Sequence, residues 1–142
     1  MIESKNILTS VLHTAQMGVS GIDAVQNRAV NPQLQTLLQQ QRQEYAAIAD
    51  QSLHLAQEKG WELPHRSRFV ETMSTTCAKC RLMVGDTDST IAGMLIQGNT
   101  RGMILGIKNL NKASDTDPDV AAVAKSLLNL ENMNIQKSQE FL

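Results

Sequence analysis

The sequence predicts an all-α protein, a four-helix bundle built from two helical hairpins. Aromatic residues make up only 3% of the 142 residues, and glycine and proline are sparse, a composition that favours helices over strands. Apolar residues recur every three or four positions through four long segments, which is typical of amphipathic helices. A Gly-Ile pair followed by a polar turn and a proline occurs twice, from Gly21 to Pro32 and from Gly106 to Pro118. Each occurrence is typical of a helical hairpin, so the repeat predicts an internal duplication.

The first predicted hairpin covers about residues 4–59. The chain should leave the α conformation at Asn31, because a residue that precedes proline is disfavoured there. Asn31 is then the N-cap and Pro32 the first residue of the second helix. Gly60 is predicted to end that helix. The first helix carries one apolar stripe, formed by Ile7, Leu8, Val11, Leu12, Ala15, Val19, Ile22, Val25 and Ala29.

A shorter crossover helix is predicted at about residues 65–84, and a second hairpin at about residues 87–141. Asp86 or Asp88 is expected to cap the first helix of this hairpin, and Asp117 with Pro118 to open the second. The apolar stripe of the last helix is predicted to be Val120, Val123, Leu127, Leu130 and Met133. We expect residues 1–142 to form one domain.

The connections between these helices predict a topology. A tight turn makes the two helices of each hairpin antiparallel, and the crossover helix then returns the chain along the bundle. The two hairpin turns are therefore expected at opposite ends. This arrangement is that of ferritin-like bundles rather than of a simple four-helix meander.

Charge and hydropathy narrow the range of partners. With 13 basic and 14 acidic residues the net charge is -1, so we expect no nucleic-acid partner. The most apolar stretch, residues 91–110, is interrupted by Gln97, Asn99, Arg101 and Lys108, so no membrane helix and no membrane partner are expected. The first residues lack the apolar segment of a secretory signal, which predicts a cytoplasmic protein.

Ferritin-like proteins with a di-iron or di-manganese centre use Glu-x-x-His pairs that aim a carboxylate and an imidazole at the metals. The one such pattern here runs from Glu62 to His65, follows the second helix and contains a proline. On the inner helix faces, Glu44 is followed by Ala47 three residues later, and Glu131 by Asn134. The sequence therefore predicts no bound cofactor.

A smaller metal site is the alternative. Asp50 and His54 are four residues apart, a spacing that places both on one helix face and can hold a metal ion. Together with Glu44 they are the candidate ligands for iron, manganese or zinc. The row lies beside the apolar stripe, where such side chains are normally solvated.

Cys77 and Cys80 form a Cys-x-x-Cys pattern and are the candidate redox residues. Both fall on the apolar side of the predicted crossover helix, which favours buried core thiols over a reactive pair. The sequence contains no catalytic triad order and no phosphate-binding loop. We therefore lean towards a protein that is not an enzyme.

Gly98, Gly102 and Gly106 recur every four residues, although each glycine inside a helix costs about 1 kcal/mol relative to alanine. The row predicts a close approach by another segment. Packing within the bundle is the favoured reading, and a contact between copies of a homo-oligomer is the alternative. A ligand-binding bundle is a third possibility, which would show as an apolar cavity beside this row.

The segment Asn31-Pro32-Gln33-Leu34-Gln35-Thr36-Leu37-Leu38, followed at the helix end by Gly60-Trp61, resembles the spore coat protein F family. The resemblance covers chiefly residues 5–61. It implies a ferritin-like bundle, usually without a recognised metal site, and an association with spores. No catalytic residues carry over, and Cys77 and Cys80 are not part of the family pattern.

Two functions follow from these observations. The leading hypothesis is a non-catalytic ferritin-like bundle that acts by association with itself or with another protein, including a structural role in a spore coat. The alternative is a small metal-binding or thiol-redox protein of the same fold.

Overall fold

The computed structural model describes residues 2–64 and 87–142, and these ranges are all-α with no strand. The predicted four-helix bundle is confirmed, while the predicted crossover helix at 65–84 lies outside the described residues. In chain order the elements are helix α1 (Ile2–Val25), a 3₁₀ turn (Gln26–Arg28), α2 (Pro32–Glu58), α3 (Thr87–Lys112), α4 (Pro118–Ser138) and a final 3₁₀ turn (Gln139–Phe141). None of these helices is long and apolar enough to cross a membrane.

Both prolines begin their helices as predicted. The Asn31 side chain accepts a hydrogen bond of 2.8 Å from the Gln33 amide and caps α2. The Asp117 carboxylate does the same for α4, accepting a hydrogen bond of 2.9 Å from the Asp119 amide. Past the end of α2, Gly60 has a φ of 69°. This left-handed conformation favours glycine and ends the helix, as the sequence indicated.

The core lies along one buried stripe of each helix, and α4 corrects one sequence-based expectation. Val123 and Leu130 are half-buried and pack against the core, but Met133, placed on the same apolar stripe, is exposed. The face that α4 buries is rotated from them and includes polar side chains. Its buried residues are Val120, Ala124, Leu127, Glu131, Asn134 and Ser138.

Hydrogen bonds connect the first hairpin turn to the start of α3. The Asp88 carboxylate accepts two backbone hydrogen bonds, from the amide of Val30 at 2.8 Å and from the amide of Asn31 at 2.9 Å. The turn between α1 and α2 is therefore held against the first residues of α3.

The second hairpin turn is held at the other end of the bundle. The Asp117 amide donates a hydrogen bond of 2.8 Å to the Ser4 hydroxyl at the start of α1. The Lys59 ammonium, just past the end of α2, lies 2.7 Å from the Asp117 carboxylate and lowers the pKa of that carboxyl. The turns thus lie at opposite ends of the bundle, as predicted, and α1 runs antiparallel to α3.

The buried positions of α2 and α4 recur at the same distances from the proline that begins each helix. Tyr45 and Glu131 are each thirteen residues after their proline, and Ser52 and Ser138 are each twenty residues after it. The corresponding buried pairs are Leu34 with Val120, Leu38 with Ala124, Gln41 with Leu127, Tyr45 with Glu131, Ile48 with Asn134, and Ser52 with Ser138. An aromatic ring in one half therefore corresponds to a carboxyl group in the other.

Candidate functional site

The three candidate metal ligands on α2 are not brought together. Asp50 and His54 are exposed, and His54 Nε2 lies 3.1 Å from Glu58 Oε1, on the same outer row. Glu44 is half-buried, and burial raises the pKa of its carboxyl while the charge of Lys137 opposes that shift. Across residues 2–64 and 87–142, no group of three or more His, Cys, Asp or Glu side chains is placed to hold a metal ion.

The redox candidates Cys77 and Cys80 lie outside the described residues, as does His65 of the Glu-x-x-His pattern. The hypotheses built on them stay predictions.

The three glycines of α3 have different surroundings. A Cβ added to Gly102 would lie 1.9 Å from Oε2 of Glu131, and one added to Gly106 would lie 2.9 Å from Cδ2 of Leu128. Both neighbours belong to α4 of the same chain. Around a Cβ on Gly98, no atom of the described residues lies within 4 Å. Two glycines of the row therefore permit close packing of α3 on α4, and the third borders open space.

Glu131 is the most unusual side chain in the bundle. It is fully buried, and neither carboxyl oxygen has a hydrogen-bond partner among residues 2–64 and 87–142. Burial raises the pKa of this carboxyl to about 8, because the charged form loses its hydration. The group is therefore mostly protonated and neutral at pH 7, and it can both donate and accept a hydrogen bond.

Tyr45 and Asn99 lie in the same layer of the bundle and form their own hydrogen bonds. The buried Tyr45 hydroxyl donates to Oδ1 of Asn99, whose Nδ2 donates to the Leu95 carbonyl at 2.7 Å. Burial raises the pKa of Tyr45 far above its ordinary value, and the charge of Glu131 adds to the shift. The hydroxyl therefore remains protonated, and the chain of donors ends on a backbone carbonyl.

Further polar side chains follow along α4. The Gln41 amide donates to the Ser138 hydroxyl at 3.4 Å, and that hydroxyl donates to the Asn134 carbonyl at 2.7 Å. Gln41 Oε1 and both polar side-chain atoms of Asn134 are buried without a partner in the described part of the chain. Each unsatisfied buried group costs about 1–3 kcal/mol, so the polar groups of this layer lower the free energy of unfolding.

A cavity of about 220 Å³ adjoins this polar layer and lies between α1 and α3. Its walls are mostly apolar, with Met17 and Ile22 from α1 and Met94 from α3, and Glu131 lies in its lining beside Gly102. An apolar cavity next to the glycine row is the feature expected of a ligand-binding bundle.

The sequence held a partial signal for this site. Glu131 and Asn134 stood out because they occupy the spacing of a Glu-x-x-His pair on an inner helix face, and they were considered only as metal ligands. Their separation from Leu127 by four and seven residues is the register of a buried helix face, and that was the available clue. Asn99 was noted only as an interruption of an apolar stretch, and nothing local connects it with Tyr45.

Together these features define an all-α four-helix bundle with a buried polar layer beside an apolar cavity. Residues 4–65 match the family model of the Coat F domain, which confirms the resemblance to the spore coat protein F family over α1, α2 and the turn between them. The match suggests a spore-coat-type structural protein. Comparison with curated proteins and with solved structures gave no match.

Proposed function

We propose that this protein is a non-catalytic structural protein of the spore coat type, with a ferritin-like topology, that associates with further copies of itself. The observation that carries the proposal is an apolar surface on α3. Ile104, Leu105 and Ile107 are 50%, 41% and 43% exposed and lie within about one helical turn. Contiguous exposed apolar side chains rimmed by polar ones are typical of interaction surfaces.

The charges beside this surface are basic. Arg101 and Lys108 lie one turn from Ile104, and both are exposed. Neither forms an ion pair with any of the described residues. The acidic residue of α3, Asp88, is at the other end of the helix, where it accepts hydrogen bonds from the first turn. The α3 surface is therefore apolar and positively charged.

A complementary surface is present on the outer side of α2. Leu53 is 47% exposed there, with Asp50 one turn before it. Glu58 lies on the same outer side, beside His54. A second copy that places this surface on α3 buries Leu53 against the exposed apolar side chains and brings acids to Arg101. Such a contact joins two different patches, so it propagates into chains or closes into rings, as a coat layer requires.

The ferritin-like topology and the origin of the two hairpins by duplication are also part of the proposal. They are supported by the turns at opposite ends of the bundle and by the recurrence of buried positions in α2 and α4.

The test uses two variants that each remove one surface, Ile104→Glu on α3 and Leu53→Lys on α2. Sedimentation velocity over a range of protein concentrations should show oligomers of the unaltered protein and monomers of each variant alone. An equimolar mixture should form a dimer and stop there, because Ile104→Glu keeps the α2 surface and Leu53→Lys keeps the α3 surface. Met133→Gln, a change at an exposed position of α4, is the matched control and should leave the oligomers unchanged.

Two results would count against the proposal. An unaltered protein that is monomeric at every concentration excludes self-association. Oligomers of Leu53→Lys alone would show that α2 is not the complementary surface.

A further inference from the structure

The cavity between α1 and α3 is large enough for a small organic molecule. Its volume is about 220 Å³. An engineered apolar protein cavity of about 150 Å³ holds benzene, so this one has room for a single ring with a short substituent. Binding pockets for small molecules are typically apolar with a few polar groups that fix orientation.

Glu131 is the polar group that lacks a partner in this lining. Tyr45 and Asn99 also line the cavity, but the tyrosine hydroxyl donates to Asn99 and the Asn99 amide donates to a backbone carbonyl. Among the described residues of the lining, only Glu131 has buried side-chain oxygens without a hydrogen-bond partner. A ligand head group that reaches Glu131 would supply that partner.

The chemistry of Glu131 selects the head group. An ammonium group donates up to three hydrogen bonds and favours the ionised carboxylate, which forms the shorter and stronger charge-assisted bonds. An alcohol donates one hydrogen bond and a carboxylate donates none, so neither supplies a donor to both buried oxygens of Glu131. The other titratable or charged side chains of the lining are Tyr45 of α2 and Arg101 of α3, and α1 contributes none.

We propose that this cavity binds a small primary amine whose apolar body, of about one ring, lies between α1 and α3 while its ammonium group binds the Glu131 carboxylate. The amine enters as the ammonium ion, and the proton held by Glu131 is released to solvent. Binding therefore keeps the charge of the site balanced. The lining shares Arg101 and Leu105 with the α3 surface proposed for self-association, whereas Glu131 and the α1 wall of the cavity are not part of that surface.

The test is a calorimetric titration at pH 7 with three probes of one shape: benzylamine, benzyl alcohol and benzoate. Benzylamine should bind one equivalent at least tenfold more tightly than the other two. Repeating the titration in buffers of different ionisation enthalpy should show release of close to one proton. Glu131→Gln should weaken benzylamine at least tenfold and leave benzyl alcohol unchanged, while the matched change Glu140→Gln, at an exposed glutamate of the final 3₁₀ turn, should alter neither.

Backbone amide spectra of the unaltered protein provide a second measurement that needs no folded variant. Benzylamine should shift the amide signals of Gly98 and Gly102 in the lining more than that of Gly93, which lies outside it. No saturable benzylamine binding, equal affinity for the three probes, or undiminished binding by Glu131→Gln would each overturn the proposal. So would shifts confined to residues outside the cavity.

Discussion

The Oε2 atom of Glu131 lies over the backbone of Gly102, 1.9 Å from the point where a side chain at that position would place its Cβ. The carboxyl of Glu131 therefore occupies the space that the side chain of any larger residue at position 102 would need. The carboxyl is the end of a flexible side chain, and the cavity beside it offers another position.

Gly102→Ala is expected to change the free energy of unfolding by less than about 1 kcal/mol, because the gain of about 1 kcal/mol in helix propensity offsets the displacement of the carboxyl into the cavity. The displaced carboxyl becomes hydrated, so its pKa should fall from about 8 towards its ordinary value. Urea denaturation and titration of the Glu131 carboxyl carbon by NMR measure the two effects. Gly98→Ala, where nothing lies within 4 Å, is the control and should stabilise by about 0.5–1 kcal/mol without moving that pKa.

Gly18→Ala should be clearly destabilising, by about 1–3 kcal/mol, because overpacking in a core displaces rigid groups. Here the added Cβ would lie 2.5 Å from Cδ2 of the buried Tyr45 ring. The rigid Tyr45 ring cannot move away from the added methyl group as the flexible Glu131 carboxyl can, because its hydroxyl is also hydrogen-bonded to Asn99. The free energy of unfolding of each variant is measured by urea denaturation. Equal values for Gly18→Ala and Gly98→Ala would contradict the contact between Gly18 and the Tyr45 ring.

Glu131 should make the protein less stable as the pH rises. Its pKa is raised from 4.5 to about 8 on folding, so the unfolded chain loses this proton at lower pH than the folded chain does. Below about pH 4.5 both states are protonated and the group contributes no difference; between about pH 4.5 and 8 stability falls, by roughly 3–5 kcal/mol in total. Glu131→Gln removes the ionisation and should remove this decline.

The measurement is the difference in unfolding free energy between Glu131→Gln and the unaltered protein at pH 5, 7 and 8.5. Taking the difference cancels the titration of the histidines. As the pH rises, the unfolding free energy of Glu131→Gln should increase relative to that of the unaltered protein. A difference that does not change with pH would show that Glu131 is not buried as in this structure.

Tyr45 and Asn99 should be energetically coupled. Tyr45→Phe removes the hydroxyl and leaves the buried Asn99 oxygen without its donor, which should cost about 1–3 kcal/mol. A double-mutant cycle with Asn99→Ala measures the coupling, which we expect to be at least about 0.5 kcal/mol. Additive effects of the two substitutions would exclude the hydrogen bond.

Asp88→Ala should destabilise the protein by about 1–3 kcal/mol, since two backbone amides of the first turn lose their acceptor. Hydrogen exchange of the amides of Val30 and Asn31 should accelerate more than that of amides in the middle of α2. Asp115→Ala, the removal of an exposed carboxylate in the second turn, is the control and should leave both amides unchanged.

The helices could be predicted from local patterns, because a proline at the first turn, a capping Asn31 or Asp117 and a glycine at a left-handed position all act on their immediate neighbours. The placement of the two hairpin turns at opposite ends followed from helix lengths and tight turns. The α4 core face was predicted only in part, since the apolar pattern placed Met133 inside, although Glu131 was correctly placed on the inner face. Burial there depends on which α3 atoms lie opposite, and the absence of a Cβ on Gly102 has meaning only once the two helices are paired.

The candidate site was predicted less well for the same reason. Asp50 and His54 have the spacing of metal ligands, but spacing along one helix does not tell whether that face meets another helix or solvent. Conversely, Tyr45, Asn99 and Glu131 come from three helices, and no separation along the chain relates them.

The correspondence between buried positions of α2 and α4 has a consequence for what the interior of the bundle can accommodate. Gly18 lies against the ring of Tyr45, and Gly102 lies against the carboxyl of Glu131. In each hairpin, a glycine of the first helix therefore faces the residue thirteen positions after the proline of the second helix. The backbone spacing is thereby set by the glycines and not by the residue they face. An aromatic ring and a carboxyl group thus occupy equivalent places in the two hairpins, each against a glycine of the preceding helix.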